Sequence, residues 1–235
     1  MKPEPSIGQS PVGMTFGRKA GILHHSTGMP IVRRASGASI MKKLFSALIV
    51  AFMASSPAPV NAGGFALAHA PVDAAFSCTE HFAGQFIELG DALGTDCIVT
   101  RLVDVDGRLF SRMYSGDGSK NEDWYGWRQP LLSPCDCEVM AVNINPVTNE
   151  PGKPGKPPAS LIMFRRDDGV WFVYGHLQEA IVRVGDKVTA GQAVARIGNN
   201  GYGRVPHVHV GAWRGEEALQ IRWDQSTMKL PPEFR

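Results

Sequence analysis

VWFVYGHLQEAIVRVGDKVTAGQAVARIGNNGYGRVPHVHVGAW, residues 170–213, decides the fold class. Apolar and β-branched runs at 170–177, 193–197 and 208–213 read as strands, and the stretches between them show no long helical pattern. Turn residues punctuate the runs: Gly185-Asp186, Ala190-Gly191, and Gly198-Asn199-Asn200-Gly201. Short strands at close intervals predict an all-β domain with an antiparallel sheet core, long loops and little helix.

The pattern extends upstream. Residues 160–165 form a further strand candidate, closed by Asp167-Asp168-Gly169, and 131–142 reads as another. Between them, 143–158 is too rich in proline to hold a core and reads as a long loop. Residues 97–103 and 108–114 read as a hairpin turned at Asp106-Gly107. The polar run 115–123 reads as a loop, and 74–93 is open between a short helix and an extended segment.

The chemistry sits on the strands. Side chains two apart on a strand share a face, so His207 and His209 of Pro206-His207-Val208-His209 point the same way, as do Tyr174 and His176. If those strands are neighbours, His176, His207 and His209 converge on one ion or one water. The V-x-x-G-D-x-V-x-x-G-Q segment from Val182 to Gln192 supplies two tight turns and is shared with lipoyl and biotinyl carrier domains. A carrier would need its modified lysine at an exposed hairpin tip and has no use for three histidines. Lys187 instead enters the next strand.

Cys78, Cys97, Cys135 and Cys137 make an even set, which in an oxidising compartment suggests disulfides. Three pairings are open. A bridge inside Cys135-Asp136-Cys137 would be strained, which favours each reaching back to Cys78 or Cys97. A thiolate metal site lacks a second close pair at zinc spacing.

At the other end, Met41-Lys42-Lys43, the apolar run 44–54 and small residues ending at Ala62 have the three parts of a secretory signal peptide. The run is too short for a membrane span. Cleavage after Ala62 is expected first and after Ala70 second, which places the mature chain in the periplasm or outside the cell. Residues 1–40 show no periodicity and read as non-structural. The organisation expected is therefore an upstream segment 1–40, a signal peptide 41–62, a lead-in 63–93, a domain 94–224 and a tail 225–235. The first 62 residues hold seven of 24 Lys+Arg and one of 22 Asp+Glu, leaving 17 basic and 21 acidic side chains, a net of −4. No basic nucleic-acid surface and no membrane span after cleavage are expected.

The order Y-x-H-L (Tyr174 to Leu177), V-x-x-G-D-x-V-x-x-G-Q, G-N-x-G (Gly198 to Gly201) and P-H-x-H (Pro206 to His209) resembles the lysostaphin-type (LytM-like) peptidoglycan metallopeptidases. The segment 130–139 resembles that family's entry into its sheet. The resemblance implies an exported endopeptidase acting on the peptide cross-links of bacterial peptidoglycan, built on a duplicated hybrid motif around one zinc ion. In the family, zinc is held by the His and Asp of H-x-x-x-D and by the second His of H-x-H, matched here by His209. The other two histidines, matched by His176 and His207, act on the attacking water and the oxyanion. The first motif is degenerate: counting back from Ser133-Pro134 gives Asp123 as the acid, with Ser119 where histidine belongs. A second register gives Asp96, with Ala92 in that place, and His81 could supply a further imidazole. The missing histidine also admits a relative that binds wall peptides, or regulates a partner hydrolase, without cutting.

Overall fold

The computed structural model describes residues 64–229; the expected signal peptide, the segment before it and the last six residues lie outside them. Fourteen strands follow in chain order: β1 Phe65–Ala68, β2 Phe76–Glu80, β3 Thr95–Val99, β4 Arg101–Val105, β5 Arg108–Arg112, β6 Pro130–Leu132, β7 Cys137–Asn143, β8 Leu161–Arg166, β9 Val170–Gly175, β10 Leu177–Ala180, β11 Lys187–Val188, β12 Ala193–Ile197, β13 Val208–Arg214 and β14 Glu217–Trp223. Helix is confined, among the described residues, to two three-residue 3-10 turns, Asn121–Asp123 and Gln225–Thr227. The domain is all-β.

Nine strands form one sheet in the order β1-β14-β13-β9-β8-β7-β11, with β3 also on β13 and β2 on β3. β1 runs parallel to β14, and the other pairs are antiparallel. Thus β1 and β2, from the lead-in, are part of the same sheet as the strands after residue 94. A three-stranded sheet, β10-β12-β6, lies apart from it, and β4 pairs only with β5.

Alternation builds the core between the larger sheets. Ile162 and Phe164 of β8, Phe172 and Tyr174 of β9, and Val208, Val210 and Ala212 of β13 are buried with Leu131, Leu177, Val194 and Ile197 from the smaller sheet. Phe164 meets Tyr174 edge to face at 5.4 Å between centroids. The Tyr174 hydroxyl donates to Leu132 O at 2.9 Å, so the polar atom this ring carries into the core is satisfied by β6.

Several boundaries differ from the sequence expectation, each for a local reason. The run 131–142 divides into β6 and β7 because Ser133-Pro134-Cys135 turns between the two sheets. The run 170–177 breaks at His176, whose φ of 65° is left-handed. The Asp106-Gly107 turn forms as expected, both residues having positive φ as a two-residue hairpin requires. In the V-x-x-G-D-x-V-x-x-G-Q segment, Asp186 accepts from Arg183 N and Gln192 accepts from Thr189 N, closing its two turns. Lys187 lies within β11, paired with Glu138 of β7, and not at a hairpin tip.

The disulfides correct the expected pairing. Cys78 is bonded to Cys97, its directly opposed partner across β2 and β3, and Cys135 is bonded to Cys137. The turn at Asp136 brings the Cα atoms of Cys135 and Cys137 to 5.4 Å, inside the usual range, which the short spacing alone had argued against.

Candidate metal centre

β13 is paired on one side with β9 and, over its first half, with β3 on the other. The register sets Gly175 and Asp96 directly opposite His209 on its two sides. His209, Gly211 and Trp213 therefore share the face turned away from the core residues Val208, Val210 and Ala212. Alternation from Tyr174 would send His176 to the core face. The left-handed φ at His176 undoes that, and its ring comes to lie 4.4 Å from that of His207 and 6.3 Å from that of His209, centroid to centroid.

The four imidazoles here share one feature: a ring nitrogen of each sits on a backbone carbonyl. His176 Nδ1 donates to Asn200 O (2.8 Å), His207 Nδ1 to Val205 O (2.7 Å), His209 Nε2 to Gly90 O (2.8 Å) and His81 Nδ1 to Asp91 O (2.8 Å). A carbonyl only accepts, so each contact places the proton of a neutral ring on that nitrogen and leaves the other with a lone pair. Three of those second nitrogens gather about one carboxylate. His209 Nδ1 is 3.0 Å and His207 Nε2 3.7 Å from Asp96 Oδ1, and His81 Nε2 is 3.4 Å from Asp96 Oδ2.

A lone pair aimed at a carboxylate is repulsive unless a cation, proton or metal, lies between them. The electrostatics agree. Burial opposes charge on His209, but the hydrogen bond and charge of Asp96 outweigh it and lift its pKa above the ordinary imidazole value. Burial would raise the Asp96 carboxyl, yet the His209 hydrogen bond and the charges of His207, His209 and His81 hold it well below the usual carboxylate range. Burial, with the neighbouring His207, pushes His176 down to about 3, and burial also lowers His207, so both are neutral imidazoles near pH 7.

His81, Asp96 and His209 each offer one ligand atom, all within 4.8 Å of one another. Ligands about 2.1 Å from a tetrahedral ion stand roughly 3.4 Å apart, so the 3.0 and 3.4 Å separations need little adjustment. Two imidazoles and a carboxylate are the donor set of a catalytic zinc site.

The structure brings Asp96, not Asp123, to His209. Asp123 ends a 3-10 turn, where its Oδ2 accepts from Lys120 N at 3.1 Å, and Ser119 N donates to Asp117. Ala92, where the second register expects histidine, is buried with Leu93 and Ala218. The clue available in the sequence was Gly94, two residues before Asp96: a Cβ there would stand 2.9 Å from His209 Cε1 and 3.1 Å from Asp91 O.

Residues 130–221 match the model of Peptidase family M23. Over those residues the chain is similar to peptidase family M23. This is a family of zinc peptidases that act on peptidoglycan peptides, and the match takes in His176, His207 and His209 but begins after Asp96 and His81. No curated protein matches the chain. Similar solved structures include the SpoIIQ–SpoIIIAH pore forming complex, at 19% identity, 60% of this chain, 66% of that chain and a TM-score of 0.35. Another is the catalytic domain of the antimicrobial peptidase lysostaphin from Staphylococcus simulans, at 17% identity, 68% and 91% coverage and 0.38. A third is the catalytic domain of a point mutant of the prophage-encoded M23 protein EnpA from Enterococcus faecalis, at 18% identity, 52% and 88% coverage and 0.34.

Proposed function

We propose that the M23-like domain is a zinc metallo-endopeptidase that hydrolyses peptide cross-links of peptidoglycan, exported to the periplasm or the cell exterior, with Asp96 and His209 among its metal ligands and His176 and His207 as its catalytic residues. The observation that carries this reading is the convergence of two M23-matched histidines, His207 and His209, on the Asp96 carboxylate, with the third, His176, against the ring of His207.

When bound there, zinc supplies Lewis-acid chemistry and brings the pKa of a water toward neutrality. The remaining work falls to the chain. His176 and His207, neutral near pH 7 and anchored through Nδ1, offer Nε2 to a water proton, which orients the water and takes that proton as it attacks the scissile carbonyl. The imidazolium so formed donates to the oxyanion or the departing amine, and the peptide leaves as a carboxylate and an amine. The Asn200 and Val205 carbonyls hold the two rings in the one tautomer that can do this.

The test assays the chain on purified peptidoglycan by release of new amino groups. Cleavage should depend on zinc and stop with chelator. His176→Ala and His207→Ala should keep the metal and lower turnover about 100-fold or more, whereas His209→Ala should lose both. Ala92 in the place of the family's first histidine favours a second reading, a relative that holds wall peptides uncut. Peptidoglycan binding with no amine released at any zinc concentration would establish that one instead.

A further inference from the structure

We propose that His81 is the third metal ligand, supplied by the segment after β2 in place of the imidazole absent at Ala92. The proposal rests on the metallopeptidase reading above and adds a ligand that residues 130–221 do not contain. Losing a first-motif histidine would leave Asp96 and His209 alone, one short of the three protein ligands a catalytic zinc needs. Ala92 has no donor atom, and its methyl group is packed against Leu93 and Ala218.

The backbone delivers His81 to the vacated side of the carboxylate. Thr79 and Asp96 are direct partners across β2 and β3, and the adjacent pair, Cys78 and Cys97, is covalently joined, so the register beside His81 is locked. Leaving β2, His81 donates its own N–H to Gly94 O at 2.8 Å, which keeps it level with the end of β3. Its ring packs against that of Phe86, 4.7 Å away, and stacks with that of His209, 5.2 Å away, contacts that restrict its orientation. The side chain is only 9% exposed.

Consecutive carbonyls then aim both imidazoles. Gly90 O takes the proton-bearing nitrogen of His209 and Asp91 O that of His81, turning Nδ1 of one and Nε2 of the other toward opposite oxygens of Asp96. Carbonyl partners of this kind fix the tautomer and direction of metal-binding histidines. The strap can lie this close because the strand beneath it is bare: a Cβ on Gly211 would fall 1.7 Å from Gly90 O.

The test titrates the full chain with zinc against a chromophoric chelator, alongside cobalt(II) substitution read by absorption. The unaltered protein should bind one equivalent. His81→Ala and His81→Gln should weaken binding by more than the ~10–100-fold typical of losing an outer partner. His81→Cys should restore binding and add a thiolate-to-cobalt charge-transfer band in the near ultraviolet, which only a direct ligand produces. Wild-type affinity in His81→Ala and His81→Gln, with Asp96→Ala and His209→Ala still losing metal, would overturn the ligand and leave the metallopeptidase reading standing. Absence of zinc binding by the unaltered chain would overturn both.

Discussion

Asp96 and Asp123 are both acids in polar surroundings, and what separates them is which backbone carries them. Asp96 stands opposite His209 in a sheet, whereas Asp123 closes a 3-10 turn against Lys120 N. Asp96→Asn should therefore abolish tight zinc binding and cleavage. Asp123→Asn should leave both unchanged and lower stability by no more than about 1 kcal/mol, as for a local cap. Zinc titration and thermal melts of the two variants check this, and metal loss in Asp123→Asn alone would reverse the assignment. The H-x-H pair was legible in the sequence because alternation on one strand fixes it without outside help. Asp96 was legible only as the second register, since 113 residues separate it from His209 and the count back from Ser133-Pro134 stops at Asp123, short of the β4–β5 hairpin, which pairs with neither larger sheet. His176 was legible as a residue but not in its direction, because only the structure shows that its backbone is left-handed.

Among the elements, those with a strong turn or a clean apolar run were readable, and those defined by their partners were not. β9, β12 and β13 follow the apolar runs at 170–177, 193–197 and 208–213, and the Asp106-Gly107 hairpin follows its turn. β14 escaped notice because Glu217–Trp223 mixes charged and apolar residues without strict alternation and is held in place by β13 on one side and β1 on the other. The turn between β8 and β9 shows how a surface side chain ties such elements together. Asp168 takes both Nε and Nη2 of Arg166 at 2.9 Å, accepts from Val170 N at 3.2 Å and reaches Arg214, at the end of β13, at 3.1 Å. The Arg166 hydrogen bonds, chiefly, hold its carboxyl far below the usual range. A carboxyl lowered in the folded state adds stability that is complete above the unfolded value near 3.9 and is lost as pH falls through the folded one. Asp168→Asn should thus cost no more than about 1 kcal/mol at pH 7, given solvent screening of a half-exposed group. The cost should shrink steadily as the pH drops below about 4. Denaturant melts of both proteins between pH 7 and pH 2 would show the two curves converging, and a gap that widens with acid would contradict it.

At the scale of the whole molecule, the first described strand bears on where an exported chain must be cut. β1 lies at the edge of the main sheet, parallel to β14, with Ala66 and Ala68 fully buried in the core. Ala70 is likewise buried, its N–H donating to Thr227 Oγ1 at 2.9 Å. Removal of the leader after Ala62 would leave all of this in place, whereas removal after Ala70 would strip β1 from the sheet and expose the edge of β14 as an unpaired strand. The structure thus gives a physical reason to prefer the first of the two cleavage sites, independent of the residues at the cut. We expect the mature protein to begin near Gly63 and to be recovered outside the cytoplasm, as N-terminal sequencing of the fractionated protein would reveal. A chain engineered to begin at Pro71 should lose about 2–4 kcal/mol, from the β1–β14 hydrogen bonds and the buried alanines together. If that shortened chain melts at the same temperature as one beginning at Gly63, β1 contributes nothing to the fold and its support for the cleavage site disappears.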